Sequence, residues 1–411
     1  MWAALAVRLA ALAIRYGMPG SISLQSFPFP SEMAWIARSI VAGWGFASPY
    51  ELPTGPTAAV PPVYPYLIAG VFQLFGVRTM ASAIAALSLN CVFSAVTCWS
   101  IYRLAVTTFD ETTGVVAAWS WALFPISVYF AVARIWETSL SALLATLLIL
   151  AGVEIDRRGG LGLWAALGGV AALAGLTNVS LLTVLPFLGI WLIVRRRANA
   201  AKCLASGAVA TLVFLVLIAP WFIRNYRVFH RFIPIRTSLG LELRLGNGPE
   251  TEVRWRGWLH PFNSPTEREK LAREGEAAYM EECRREAWQF IRANPGIFVQ
   301  QTARRILYTW TGIWSLSPDY LREYPEDLYD ILPFTMMTLL SLGGLFLAFR
   351  RGNPAAWVYA AVLIFTPLSY YITHVQPRYR HPMEPFLIIL TSYAVLEHFR
   401  RRREILPATQ T

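Results

Sequence analysis

Charge is scarce in this chain. Only 15% of its 411 residues are Asp, Glu, Lys or Arg, 55% are hydrophobic, and mean hydropathy is +0.44. A soluble globular protein carries about 25% charge and about 45–50% apolar residues, so both departures point to a membrane protein. Intrinsic disorder is excluded by the same shortage of charge together with 14% aromatic residues. Cysteine is scarce too: 4 thiols in so long a chain exclude a disulfide scaffold. Cys91 and Cys98 fall on one helix face within one apolar run and read as packing thiols. No Cys/His pair has zinc spacing, no Gly-rich phosphate loop carries its Lys, and no GxSxG elbow occurs. No cleavable signal precedes a soluble domain.

What the chain does have is long apolar runs. They are Met1–Ile14, Ser82–Tyr102, Gly114–Val132, Ser139–Val153, Leu161–Leu176, Val179–Val194, Cys203–Phe222, Ile331–Phe349, Ala355–Ile372 and Met383–Phe399. Lipid offers no partner for backbone N–H and C=O, so such runs are helices, and about ten crossings are expected. Met1–Ile14 is short for a span of about 20 residues. It gains length if it borrows Arg15–Met18 and lets Arg8 snorkel. Tyr64–Phe75 is shorter than a span and reads as a juxtamembrane or re-entrant helix.

The net charge is +11. Its basic clusters lie at Arg157-Arg158, Arg195–Arg197 with Lys202, Arg350-Arg351 and Arg400–Arg403. Counting crossings puts all of them on one face, the cytoplasmic one by the positive-inside rule. The charge is therefore a topology signal, and a nucleic-acid partner is not expected. The expected plan is an all-α polytopic membrane protein with an extracytoplasmic α/β insert. Residues 1–223 form an N-terminal transmembrane module with an external first loop over 16–80. Residues 224–330 form the insert, and 331–411 the C-terminal helices and basic tail.

Within the insert, Phe232–Arg236 and Leu241–Leu245 read as β-prone pieces ended by the Gly246–Pro249 turn. Ser264–Ala293 reads as a helix with a Ser264/Glu267 capping box, stopped by Asn294-Pro295-Gly296. Gly296–Trp314 reads as a basic, aromatic helix suited to a membrane interface.

Acids are rare on the expected external face outside the insert. Glu32 and Glu51 are the only two before Phe109, Glu137 stands at the Arg134–Thr138 turn, and Glu384 opens the last apolar run. Ionisable groups at a bilayer boundary are costly and tend to be functional. The plain alternative for each is a solvated loop carboxylate or, for Glu384, an ion pair with Arg378 or Arg380. Glu32 stands out because Met33, Ile36, Ala37, Ile40 and Val41 follow at helical spacing. That places a carboxylate at the N-terminus of an amphipathic helix, where the dipole favours its charge.

Glu32, Trp35-Ile36-Ala37-Arg38, Gly43-Trp44-Gly45-Phe46, Pro61-Pro62-Val63-Tyr64, Glu137 and Arg378-Tyr379-Arg380-His381-Pro382 follow in order along the chain. In that ordered set the chain resembles the GT-C glycosyltransferases that use polyprenyl-phosphate sugars, such as the family-39 protein mannosyltransferases and the lipid A aminoarabinose transferases. Many relatives place an Asp three residues before the Glu, where this chain has Phe29. The insert is unlike the C-terminal domains of the best-known members, which leaves the acceptor open.

The resemblance implies a GT-C-like helical bundle in the inner (plasma) membrane, with its active site on the extracytoplasmic face. It implies transfer of a sugar from a polyprenyl-phosphate carrier to a protein, lipid or glycan. Glu32 would be the general base, and Glu137 would orient the acceptor or hold a divalent metal. Arg378, Arg380 and Arg224 would meet the phosphate, since guanidinium forks match it, although each also suits interface anchoring. Tyr64 and Tyr379 would wall the donor. In the insert, Glu242, Asn247 and His260 are candidates for touching the acceptor. Two rivals remain at this stage: a lipid-linked glycan flippase or transporter, and an O-antigen-ligase-like enzyme. Neither an internal repeat nor acids within the spans favour the transporter.

Overall fold

A computed structural model describes residues 1–17, 31–249, 256–315, 317–323 and 327–405. Phe29 lies outside them. The described residues form helices and no strand; the one β-bridge pairs Ala47 with Pro56.

The N-terminal half runs α1 (Trp2–Gly17), α2 (Glu32–Val41), α3 (Val63–Phe75), α4 (Met80–Thr108), α5 (Glu111–Leu123), α6 (Pro125–Ala133), α7 (Thr138–Arg158), α8 (Leu161–Gly175), α9 (Leu185–Arg195) and α10 (Ala200–Phe229). The insert adds α11 (Leu239–Gly246), α12 (Pro265–Glu274), α13 (Glu276–Ala293), α14 (Pro295–Thr311) and α15 (Pro318–Glu323). The chain closes with α16 (Asp327–Arg350), α17 (Ala356–Phe365), α18 (Leu368–Ile372), α19 (Pro377–Arg380) and α20 (Glu384–Ile405).

Each expected apolar run is helical, and the chain is a multi-pass membrane protein. By length and apolar character, α4, α7, α10 with the turn before it, and α16 each suffice to cross a bilayer. The α5–α6 pair, bent by 47° at Phe124-Pro125, makes a fifth. Pro125 cannot donate a backbone hydrogen bond, so the bend falls there. Leu161–Gly175, Val179–Arg195 and Ala356–Ile372 are shorter apolar helices.

Arg8 does not snorkel. It is fully buried, and its guanidinium donates to Ser94 Oγ at 2.7 Å, Ser127 Oγ at 2.9 Å and the Trp121 and Ala122 carbonyls at 3.1 Å. Those acceptors lie on α4 and at the α5–α6 bend, where the broken ladder exposes carbonyls. The arginine thereby fastens α1 to the bundle.

Among the described residues of the insert the expected α/β character is not observed. Leu241–Leu245 is helical, as part of α11. Leucine on alternate residues imitates a strand, but this helix is buried on most of its sides, so its apolar residues need not follow a single stripe. Two glycines make that burial possible. A Cβ on Gly240 would fall 2.1 Å from the Met280 carbonyl oxygen, and one on Gly246 1.6 Å from that of Thr373. The Ser264 cap forms as expected, with Glu267 N–H donating to Ser264 Oγ at 3.3 Å. The helix expected across Ser264–Ala293 is split at Gly275, whose φ of +79° ends α12 before α13 begins.

The four basic clusters gather at one end of the bundle, where Arg157, Arg195, Arg351 and Arg400 line a single cavity. Glu137 caps α7 at the opposite end.

Candidate active site

α2 begins where the notion of an N-cap requires: Ser31 is extended, and its Oγ accepts from Ala34 N–H at 3.2 Å. Met33, Ala34, Ile36 and Ala37 bury one face against the bundle, so Glu32 is held at its first turn with its side chain mostly covered. The segment after α2 is clamped from two sides. Arg224 donates to the Thr57 and Phe46 carbonyls at 2.7 Å, and the buried Glu276 carboxylate accepts from Thr57 and Thr237 hydroxyls and from Ala58 N–H at 2.7 Å.

Glu32 Oε1 lies 3.6 Å from His260 Nε2. His260 Nδ1 accepts from Phe262 N–H at 3.1 Å. The neutral ring therefore carries its proton on Nε2, facing Glu32. Burial pulls the His260 pKa below its ordinary value, against the pull of Glu32 and Glu242.

Glu242, on α11, accepts from Arg236 at 2.9 Å and stands 3.6 Å from His374 Nδ1. Burial pushes its pKa up, but His374, Arg236, His260 and Arg378 together bring it below the usual carboxylate value. His374 Nε2 is 2.8 Å from the Tyr379 hydroxyl. Tyr379 stacks on Tyr370, centroids 4.2 Å apart and planes within 8°. Burial depresses His374 to about 4, helped by Arg378 and resisted by Glu242.

Arg378 lies over the Trp136 ring, 4.2 Å from its centroid. Burial lowers the pKa of Arg378, but Tyr379, Glu137 and Glu32 hold it above its ordinary value. Glu137 is half-buried with its Oε2 covered, and burial lifts it to about 7 although Arg378 and Arg236 oppose this. Glu137 Oε2 and Arg378 Nε are buried with no hydrogen-bond partner. Buried polar atoms are nearly always satisfied, so two orphans of opposite sign in one cluster need an explanation.

Of the residues singled out from the sequence, Glu32, Glu137, Glu242, His260, Arg378 and Tyr379 thus come together. The others stand around them. Tyr64 donates to Asn90 Oδ1 at 3.0 Å, and Asn90 Nδ2 donates to the Arg134 carbonyl at 3.2 Å, bracing the turn that carries Glu137. Asn247 ties α11 to the Ile372 carbonyl at 3.0 Å. Arg224 braces the first loop. Arg380 points away, into a buried nest of the Thr309, Trp310 and Phe334 carbonyls and Thr338 Oγ1. Arg236, His374, Trp136 and Tyr370 were not singled out beforehand. For His374 a signal existed: the chain has 5 His, and two fall within the short stretch from 374 to 381 that also holds Arg378 and Arg380.

A family model for dolichyl-phosphate-mannose-protein mannosyltransferase matches residues 59–223. The archaeal oligosaccharyltransferase AglB from Archaeoglobus fulgidus, solved with an inhibitory peptide and a dolichol-phosphate, aligns over 100% of this chain and 52% of its own at 13% identity, with a TM-score of 0.58. The fold is that of the matching half of this oligosaccharyltransferase. A second structure of the Archaeoglobus fulgidus oligosaccharyltransferase, with zinc and sulfate, aligns over 98% of this chain and 50% of its own at 14% identity, with a TM-score of 0.57. ArnT from Cupriavidus metallidurans bound to undecaprenyl phosphate aligns over 98% of this chain at 14% identity, with a TM-score of 0.44. The chain spans about half the length of the oligosaccharyltransferase chains it matches. No curated protein matches it by sequence.

Proposed function

We propose that this chain is a GT-C glycosyltransferase of the inner (plasma) membrane. It moves a sugar from a polyprenyl-phosphate carrier to a hydroxyl-bearing acceptor (protein, lipid or glycan) on the extracytoplasmic face. The observation that carries the reading is the meeting of Glu32, Glu137 and Arg378 from distant parts of the sequence, with Glu137 Oε2 and Arg378 Nε left unpartnered. The AglB structure holds a dolichol-phosphate, the same class of headgroup proposed here as the donor's.

In the transfer the acceptor oxygen attacks the anomeric carbon as the bond from that carbon to the phosphate oxygen breaks. Glu32 takes the acceptor's proton, with His260 Nε2 standing 3.6 Å from its carboxylate. Arg378 meets the negative charge that gathers on the departing phosphate. Glu137, with a pKa near neutrality, orients the acceptor hydroxyl. Tyr379 walls the donor and Glu242 faces the acceptor side. Arg224, Tyr64 and Asn247 hold the surrounding segments. By these roles the working units are residues 1–223 for donor and base, 224–330 for acceptor contacts, and 331–411 for the phosphate contact.

A divalent metal fits less well. Among the described residues no three His, Cys, Asp or Glu side chains stand together as a ligand set, and Glu32 and Glu242 already face His260, Arg236 and His374.

The test supplies radiolabelled polyprenyl-phosphate sugars to membranes containing this chain and identifies the labelled product. Label transfer abolished by Glu32→Gln in a protein that still folds supports the reading. Transfer untouched by Glu32→Gln would instead favour a ligase-like mechanism, and no transfer from any such donor overturns the proposal.

A further inference from the structure

At the end of the bundle away from Glu137, a cavity of about 540 Å3 opens among the ends of α4, α7, α9, α17 and α20. It is separate from the candidate active site. Glu137 caps α7, Arg157 lies in the last turn of the same helix, and 1.5 Å per residue puts them about 30 Å apart.

The charges in the cavity are not balanced. Its carboxylates are all engaged: Asp156 with Arg195 at 3.0 Å, Asp110 with Arg400 at 3.0 Å, and the buried Glu397 with Arg400 at 2.9 Å and with Arg351. Each of these arginines keeps donors to spare, since a guanidinium carries about five N–H groups. Arg157 lines the cavity as well and is exposed. An entering group therefore meets surplus N–H donors and no free carboxylate. The remaining wall mixes Thr107, Thr108 and Asn353 with an aromatic side, where Phe109 stacks on Tyr393 at 4.2 Å and Trp191 also lines the cavity. α4 and α7 are long and apolar enough to span a bilayer, so the cavity mouth sits at a membrane boundary.

We infer that this cavity binds the phosphodiester headgroup of an anionic phospholipid. The headgroup phosphate lies against Arg157 and the spare donors of Arg351 and Arg400, and the glycerol end of the lipid rests on the aromatic wall. A free phosphate compound would use the same arginines but would leave that wall unfilled. Basic pockets between transmembrane helices on the cytoplasmic side are a recurring setting for such headgroups. The inference is independent of the proposed transfer reaction.

The experiment is native mass spectrometry of the purified full chain with phosphatidylglycerol or phosphatidylcholine of identical acyl chains. The unchanged protein is expected to retain phosphatidylglycerol at least about tenfold better. Arg157→Glu is expected to remove most of that preference. Lys202→Glu, a change at an exposed residue of the same basic face outside the cavity lining, is expected to leave it. Equal retention of both lipids overturns the proposal, as does equal loss in the two variants, which would mean diffuse surface charge. Displacement of phosphatidylglycerol by millimolar inorganic pyrophosphate would reassign the cavity to a soluble anion. Should Arg157→Glu not fold, the comparison of the two lipids on the unchanged protein still decides.

Discussion

Glu32 Oε1 stands 3.6 Å from His260 Nε2, although the two residues come from opposite flanks of the molecule's central sequence. Glu32 opens a helix in the first loop, and His260 ends a turn in the insert. Glu32→Gln keeps the shape and removes the basicity, so transfer should fall roughly 100- to 10,000-fold. His260→Ala removes a polar neighbour that stands 3.6 Å from the carboxylate, beyond hydrogen-bond distance, so its loss should be smaller, up to about tenfold. Initial rates on a labelled donor, with thermal unfolding as the folding control, check both. A larger loss at His260 than at Glu32 would exchange their roles.

Glu137 gives the chain a pH signature. Its carboxyl is lifted to about 7 in the fold, against about 4.3 in an unfolded chain. The fold therefore prefers the protonated form. That contribution is fully present below about pH 4.3 and is lost as pH rises through about 7, a span worth on the order of 3 kcal/mol. Glu137→Gln is neutral at every pH. Its thermal midpoint should exceed that of the unchanged chain at pH 8, and the gap should shrink toward pH 5. A pH-independent gap would show that Glu137 is ionised throughout.

Glu276 latches the first loop to the insert. It takes hydrogen bonds from the Thr57 and Thr237 hydroxyls and from Ala58 N–H. Glu276→Ala strands the buried Thr57 hydroxyl and Ala58 N–H, each costing about 1–3 kcal/mol, and frees the half-buried Thr237 hydroxyl. The variant should unfold earlier on heating and transfer more slowly, because the loop between Glu32 and α3 loses its anchor. Limited proteolysis should then cut between 46 and 60. An unchanged cleavage pattern would refute the latch.

Much of this arrangement could be read in advance, for physical reasons that differ from residue to residue. Glu32 was visible because a carboxylate before an amphipathic helix leaves a pattern in adjacent residues. The basic clusters were visible because membrane topology sorts Lys and Arg by side, and the structure gathers Arg157, Arg195, Arg351 and Arg400 about one cavity. α11 was misread because its burial comes from close approach at Gly240 and Gly246, which leaves no single apolar stripe. Arg378 and Arg380 looked equivalent in sequence. Only folding shows one beside Glu137 and the other in a nest of carbonyls. His374 and Arg236 acquire their places through Glu242, a contact between segments that no local pattern encodes.

Gly246 offers a test of how tightly the site is held. A methyl group there would meet the Thr373 carbonyl oxygen at 1.6 Å, and that oxygen is backbone, next to His374. Gly246→Ala must push the 373–376 segment away from α11, at a cost of about 1–3 kcal/mol. It should also slow transfer by shifting His374 from Glu242. Gly189→Ala, where a Cβ meets nothing within 4 Å, is the matched control and should change neither property. Equal behaviour of the two variants in unfolding and rate assays would mean that the approach of α11 to this segment is looser than the structure has it.

Arg378 and Arg380 should respond oppositely to replacement by Lys, which keeps the charge but loses the fork. Arg378 has a buried Nε with no partner and faces Glu137 and Glu32. Lysine there should keep the thermal midpoint nearly unchanged while transfer falls tenfold or more, roughly the value of one charge-assisted hydrogen bond to phosphate. Arg380 spends its donors on the Trp310 carbonyl at 2.8 Å, Thr338 Oγ1 at 2.9 Å and the Phe334 carbonyl at 3.2 Å. Lysine there cannot reach all three. The α14–α16 contact should loosen and the midpoint drop, by about 1–3 kcal/mol for each acceptor left unpaired. The folded fraction should still transfer at close to the normal rate. Rates normalised to folded protein separate the two outcomes, and a rate loss confined to Arg380→Lys would move the phosphate contact from Arg378 to Arg380.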